Sequence, residues 1–311
     1  MPKLISVVIH TYNEEDNVKN IYGVVRLILL KQVSYDYEII FIDNSSTDRT
    51  VGILKELAAR DKRLKIIVNT RNFGHIRSPN YGLLQAGGDG VIAMCADFQD
   101  PPSVIPKLIR EWERGTDGAV AVKTTSDENH IVYMARSMYY FFLRTFSDAP
   151  LVDNFSGYAL YDKRVIDVLK TIDDPNPYIR GLVCDLGFNM AQVEYRQPKR
   201  KFGYTKNNIY TLYDIAVLGL TTYSKMPLRL MVLVGGLTSF SSMLVALIYL
   251  LYKLIYWDSF TVGVAPLVIG LFFFSSLQIL FLGIIGEYIG MIASYIQKRP
   301  LVIERERINF E

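Results

Sequence analysis

Two uncharged apolar stretches near the C-terminus limit what this chain can fold into. Leu230 to Leu251 and Val262 to Ile285 hold no Asp, Glu, Lys or Arg, and each, as a helix, is long enough to cross a hydrocarbon layer of roughly 30 Å. Inside such a layer the backbone must satisfy its own hydrogen bonds, so the pair is predicted as two membrane-spanning helices. Lys199, Arg200, Lys201, Lys206, Lys225 and Arg229 precede the first stretch, and Lys298, Arg299, Arg305 and Arg307 follow the second. Only Lys253 lies near the connecting turn at Tyr256 to Thr261. That asymmetry places both termini on the cytoplasmic side of an inner or plasma membrane. No basic and apolar leader precedes the first strand at Leu4 to Ile9, so a cleaved targeting peptide is not expected.

Other bulk features narrow the class of partner. The net charge of +3 is too small to suggest nucleic acid, and the basic clusters sit where a membrane surface would be. The two cysteines, Cys95 and Cys184, imply no disulfide framework, which matches a reducing compartment. Gly235, Gly236, Gly283, Gly286 and Gly290 would let the apolar helices approach closely, which permits assembly into a homo-oligomer.

Before Pro198, strand signals alternate with helical ones, the pattern of a mostly parallel sheet covered on both faces. Leu4 to Ile9 leads into a turn where Asn13 fits as a helix N-cap, followed by three acids in the first helical turn. Tyr37 to Ile42 is a second strand, and Ser45 with Asp48 just after it has the spacing of a capping box. Capping leaves Asp43 unexplained. A carboxylate at a strand's carboxyl edge is placed to accept hydrogen bonds from a base or ribose. Lys65 to Val68 is a third strand, followed by a turn at Asn69 to Gly74 and a helix reaching Ala86.

The fourth strand, Gly90 to Met94, runs into Cys95-Ala96-Asp97-Phe98-Gln99-Asp100-Pro101-Pro102. Asp97, with an amide two residues on and a carboxylate three on, offers hard oxygen donors suited to Mg²⁺ or Mn²⁺ bridging a nucleotide-sugar diphosphate. The same octapeptide also fits Asp97 and Asp100 as caps of a helix from Ser103. Convergence favours the first option: three successive strand ends deliver Tyr12 to Glu14, Asp43 and Asp97 to one edge, where open α/β sheets bind ligands.

Further on, Gly181 to Asn189 is predicted helical, Gln192 to Arg196 a last strand, and Leu301 to Glu311 a tail with a short strand. The basic run Lys199, Arg200, Lys201 and Lys206 is interleaved with Phe202 and Tyr204 beside a membrane segment. Contact with lipid headgroups or an acceptor's phosphate explains it better than a merely solvated charge run. Ile209, Leu212, Tyr213, Ala216, Val217 and Leu220 form one helical stripe, placed either in the interface plane or against the soluble domain.

Several segments together resemble a known family. They are Thr11-Tyr12-Asn13-Glu14, Ile42-Asp43 with Ser45 to Thr50, Arg71-Asn72-Phe73-Gly74, Ala96 to Pro102, Leu160 to Arg164, Pro227-Leu228-Arg229, and Gly286 to Gly290 with Arg299-Pro300-Leu301. The combination is similar to the family 2 glycosyltransferases of GT-A fold, specifically the polyisoprenyl-phosphate glycosyltransferases related to dolichyl-phosphate mannose synthase. The resemblance covers nearly the whole chain. It implies that Tyr12, Asn13, Glu14, Asp43, Asn44 and Ser45 hold the nucleoside, that Asp97 and Gln99 hold Mg²⁺ or Mn²⁺, and that Arg136 and Lys123 face the acceptor phosphate. For Arg136 and Lys123, an exposed helix cation is the competing explanation.

This chain departs from the family pattern in four places. His10 stands where Pro is usual, Asn44 where a second Asp is usual, and Cys95 where a metal-site pair has its first Asp. Ser156-Gly157-Tyr158-Ala159 replaces a motif that usually carries Asp and Arg. A thiolate is a soft ligand ill matched to Mg²⁺, so Cys95 is taken as a small strand residue. The acid missing at Gly157 would matter for a sugar hydroxyl acceptor, which needs a base. A lipid phosphate is largely dianionic at neutral pH and is already a nucleophile. Asp153 and Asp185 are the other candidate bases.

These expectations describe an inverting, metal-dependent transferase that moves a sugar from a UDP- or GDP-linked donor to a polyprenyl phosphate. Residues 1–206 form the catalytic domain, 207–228 an amphipathic interfacial helix, 229–296 the two spans, and 297–311 a cytoplasmic tail. Two rivals remain: transfer to a lipid-linked saccharide hydroxyl, and a catalytically degenerate membrane scaffold.

Overall fold

The computed structural model describes residues 2–124, 152, 154–198, 226–255 and 264–310. Arg136, Asp153, Lys199, Arg200, Lys201, Lys206 and the apolar stripe from Ile209 to Leu220 lie outside the described residues.

Elements alternate as the periodicity predicts: β1 (Lys3–Thr11), α1 (Glu15–Leu30), β2 (Tyr35–Asp43), α2 (Thr50–Arg60), β3 (Leu64–Asn69), α3 (Gly74–Leu84), β4 (Gly90–Cys95) and α4 (Ile105–Glu113). Then follow β5 (Gly118–Lys123), β6 (Phe155–Asp162), α5 (Lys163–Thr171), α6 (Ile179–Asp185) and β7 (Met190–Tyr195). Strands β3, β2, β1 and β4 are parallel neighbours. Beyond β4 the sheet continues through β6, antiparallel to both β4 and β5, and ends on β7, parallel to β5. The tail supplies β8 (Glu304–Ile308), antiparallel to β3, so the order is β7-β5-β6-β4-β1-β2-β3-β8.

The central strands are apolar on both faces because both are covered. Ile5, Val7 and Ile9 of β1, with Ile39 and Phe41 of β2, point into a core with α1, α2 and α4. Val8, Ile40 and Ile42, one residue out of step, pack against α3, α5 and α6 on the other face. Strands β5 and β6 were not expected. Gly157, at φ +102° inside β6, breaks the alternation by which strands are recognised.

The capping roles assigned to loop residues are corrected. α1 starts at Glu15 and α2 at Thr50, neither with a side-chain cap, so Asn13 is not an N-cap and Ser45 with Asp48 is not a capping box. Both Asn13 (φ 52°) and Ser45 (φ 65°) are left-handed, a conformation in which a residue turns the chain instead of opening a helix. Asp97 and Asp100 do not cap a helix from Ser103 either, because α4 begins at Ile105 after a short 3₁₀ turn at Pro102–Val104.

Two C-terminal helices, α7 (Met226–Ile255) and α8 (Val264–Ile296), are long and apolar enough to cross a membrane. Their mean hydropathy is 1.7 over Leu228–Val245 and 1.8 over Phe273–Ile296. Side chains such as Val232, Leu237 and Ile279 lie exposed on them. The tail then returns to the sheet: the Thr70 amide donates to the Ile303 carbonyl at 2.9 Å, and the Tyr81 hydroxyl to Glu304 at 2.8 Å.

Candidate active site

The parallel register sets Thr11 opposite Asp43 and His10 opposite Cys95, so the ends of β1, β2 and β4 open on one side of the sheet. A cleft of about 320 Å³ there is lined by His10 to Tyr12, Glu14, Asn44, Asn72, Gly74, His75, Ser78, Pro79 and Cys95 to Asp97. A second cavity of about 350 Å³ shares His10, His75, Pro79, Cys95 and Asp97, and extends to Gln99, Asp100, Ser156, Gly157, Tyr178 and Arg180. The shared residues make it one continuous cleft with Asp97 near its middle.

The nucleoside end is organised by side chains that bind backbone. Asp43 is fully buried beneath the cleft and accepts from the Ser46 amide at 2.9 Å and from the Ser46 hydroxyl. Burial pushes its pKa up while the Ser46 bonds oppose the shift. The Asn13 amide donates to the Ser46 hydroxyl at 2.8 Å, and Asn13 Oδ1 accepts from the Thr47 amide at 2.8 Å. Asn13, Asp43 and Ser45 therefore build the turn, and Tyr12, Glu14 and Asn44 line the cleft itself. Glu14 accepts from Asn17 Nδ2 at 2.6 Å.

Asn44 holds the opposite wall. Its Nδ2 donates to Asn72 Oδ1 at 2.8 Å and to the Gly74 carbonyl at 3.0 Å, while its Oδ1 accepts from the Phe73 amide at 2.9 Å and Asn69 Nδ2 at 3.2 Å. Both donors and both lone pairs of the amide are thus occupied. An Asp here would lack the two donors, which accounts for the amide at a position where the family usually has a carboxylate.

At the other end, the turn after β4 aims its carboxylates differently. Asp97 Oδ1 accepts from the Gln99 amide at 3.0 Å across Phe98, which is left-handed at φ 61°. Asp100 is turned inward and buried, accepting from the Cys95 amide at 3.1 Å and the Tyr195 hydroxyl at 3.3 Å. Burial, then the Asp97 charge, raises the Asp100 pKa. Cys95 Sγ lies 3.0 Å from His10 Nε2. Burial raises the Cys95 pKa well above its usual value and lowers that of His10, which favours the neutral form of each.

The donor set decides which cation fits. Among the described residues no three His, Cys, Asp or Glu side chains group as a closed metal cage. Asp97 and Gln99, both on the cleft wall, suit an ion that keeps its waters and takes further oxygens from a diphosphate, which is how Mg²⁺ is commonly held. The Cys95 sulfur is a soft donor, ill matched to such an ion.

Lys123 ends β5, and its charge acts on both Asp100 and Cys95. Arg180 was not anticipated from the sequence. It sits at the start of α6, lines the cleft, and lies with its guanidinium 5.1 Å from the Tyr178 ring centroid. Its only sequence signal is an arginine beside an aromatic, with no motif around it. Asp185, at the far end of α6, does not line the cleft, and Gly157 does.

Residues 6–169 match the model of glycosyl transferase family 2. The chain belongs to that family. It is a glycosyltransferase with a GT-A-like α/β fold and a mostly parallel sheet. Two relatives align over nearly their whole lengths. An uncharacterized glycosyltransferase, YkcC, of Bacillus subtilis is 34% identical, covering 98% of this chain and 94% of its own. The SfII prophage-derived bactoprenol glucosyl transferase of Shigella flexneri is 30% identical, covering 96% of each. The solved glucosyl-3-phosphoglycerate synthase of Mycobacterium tuberculosis in complex with UDP superposes with a TM-score of 0.49 at 16% identity, over 71% of this chain and 78% of that one.

Proposed function

We propose that this glycosyltransferase transfers a sugar, with inversion, from a nucleotide-sugar to a polyprenyl phosphate on the cytoplasmic face of a membrane that α7 and α8 span. One observation carries the proposal: the two segments walling the cleft also hold the last turn of α8 and the chain that follows it. Arg77 Nη2 donates to the Pro300 carbonyl, the Tyr81 hydroxyl to Glu304, and the Tyr295 hydroxyl to Asp174, next to the Pro177–Arg180 wall. A cleft tethered this way meets an acceptor whose reactive end lies at the bilayer surface. The 30% identical bactoprenol glucosyl transferase supports the same acceptor class.

In this mechanism Tyr12, Glu14 and the turn held by Asp43 seat the nucleoside, and Asn44 fixes the Asn72–Gly74 wall against it. Asp97 and Gln99 would hold a divalent cation, which would supply positive charge against the departing nucleoside diphosphate. An acceptor phosphate oxygen attacks the sugar's anomeric carbon from the face opposite the diphosphate. The anomeric C–O bond breaks, and its electron pair leaves with the nucleoside diphosphate. The phosphate dianion needs no base to lose a proton. This agrees with a cleft whose Gly157 carries no acid and whose Asp100 is buried on structural hydrogen bonds. Arg180 and Lys123 draw the anionic acceptor toward Asp97. Arg136 and the Lys199 to Lys206 run are proposed as further phosphate and headgroup contacts.

The test offers the purified protein polyprenyl phosphate and lipid-linked saccharides in parallel, each with a panel of nucleotide-sugars. A mass-resolved glycosyl phosphate lipid is the expected product. Sugar appearing only on saccharide hydroxyls would favour the rival transferase. Nucleotide binding without any product would favour the scaffold.

A further inference from the structure

Outside the cleft, three arginines meet at the junction between the sheet and α8. Arg71 follows β3, Arg77 lies in the first turns of α3, and Arg299 comes three residues after α8 ends at Ile296. Arg71 stacks 4.2 Å from the centroid of the Phe73 ring, and Arg77 lies 5.8 Å from the same ring. Arg77 is half-buried, tied to the Pro300 carbonyl through Nη2, and its Nε is buried with no hydrogen-bond partner. Among the described residues, no Asp or Glu pairs with any of the three arginines. Desolvation first, and then the Arg71 and Arg299 charges, lower the Arg77 pKa. Three clustered cations without a counterion oppose folding unless an anion joins them.

None of the three lines either part of the cleft, which sets the cluster apart from Asp97. Their place is fixed by α8: Arg299 follows the apolar window Phe273–Ile296 within one helical turn's length of chain. With α8 as a span, that is headgroup depth. We propose that Arg71, Arg77 and Arg299 form a binding site for the phosphodiester of an anionic phospholipid, joining the bilayer surface to the loop that walls the nucleotide end of the cleft. The site rests on the reading of α7 and α8 as membrane spans. The bound phosphate supplies the missing counterion, and arginine's planar fork suits its oxygens. Because Thr70 to Gly74 carries both Arg71 and the cleft residues Asn72 and Gly74, lipid binding orders that wall.

The experiment uses the full chain in detergent, titrated with phosphatidylglycerol or phosphatidylcholine of matched acyl chains, with retained lipid counted by native mass spectrometry. The wild type retains phosphatidylglycerol preferentially. Arg71→Gln and Arg299→Gln each lower that preference by roughly fivefold, and Arg299→Lys, which keeps the charge, restores most of it. A preference unchanged in both Gln variants overturns the site. So does an unchanged preference accompanied by a raised KM for polyprenyl phosphate, which would hand the cluster to the acceptor. Carbonate extraction of wild-type protein from membranes is the separate check on the spans; release from the bilayer would remove that reading and this site with it.

Discussion

The central sheet and the helices α7 and α8 are built from much the same residues put to opposite uses. In β1 and β2, Ile5, Ile39 and Ile40 are at most 1% exposed, while in the helices Val232 is 75% and Ile255 71% exposed. The strands hide their apolar side chains from water inside the protein. The helices present theirs outward. Composition alone therefore does not locate the core; the difference lies in what each segment's backbone can pair with. Strands need neighbours, so β1 to β4 assemble a sheet whose parallel ends gather the site. A helix satisfies its own backbone and needs only an anchor, which β8 provides by pairing with β3.

Substitutions at matched positions break or sharpen this contrast. The largest effect is expected in the sheet: Ile40→Ala should cost about 2–5 kcal/mol of stability in denaturant unfolding, whereas Leu237→Ala on α7 should cost less than about 1 kcal/mol. Leu237→Arg is the sharper probe of the helix. Placing a charge in a lipid-facing helix costs roughly 2.5–3.5 kcal/mol of insertion, so less protein should resist carbonate extraction. Unchanged insertion would mean that α7 does not meet lipid. Next in size, Asn44→Ala removes three hydrogen bonds from the Asn72–Gly74 wall and a fourth from Asn69. Nucleotide affinity measured by calorimetry should fall about tenfold, with little change in the metal concentration needed for turnover.

The smallest effect concerns the anchor. Burial raises the Glu304 pKa, but hydrogen bonds from Arg307 and Tyr81 outweigh it, and the net value lies below 4.5. A depressed carboxylate stabilises the folded state at pH above its unfolded value, and that contribution is lost as pH falls from about 4.5 through the folded value. Hydrogen exchange of the β3–β8 amides should therefore quicken as pH falls below about 4.5, after correction for intrinsic rates. Glu304→Gln should flatten that dependence.

Much of this was legible in the chain itself. The four strands that carry the site follow from apolar runs bounded by turn residues, and the Tyr12–Glu14, Asp43 and Asp97 convergence follows from their parallel order. Three things were not legible. Capping was misassigned at Asn13 and Ser45 because a local hydrogen-bonding residue looks the same in sequence whether it caps a helix or ties one loop to another. Strand β6 was missed because Gly157 interrupts its period, and β5 because it pairs only with the distant segments β6 and β7. Arg180, together with the cluster of Arg71, Arg77 and Arg299, depends on distant segments meeting, which one-dimensional spacing does not encode.

The central claim is that Asp97, on a cleft tethered to the bilayer, supports loss of the nucleoside diphosphate. The most direct measurement compares wild type and Asp97→Asn, reconstituted with polyprenyl phosphate, for both nucleotide binding and lipid-linked product. The account predicts nucleotide affinity within a few fold of wild type and transfer reduced by at least about a hundredfold. Transfer by Asp97→Asn at near wild-type rate would contradict it.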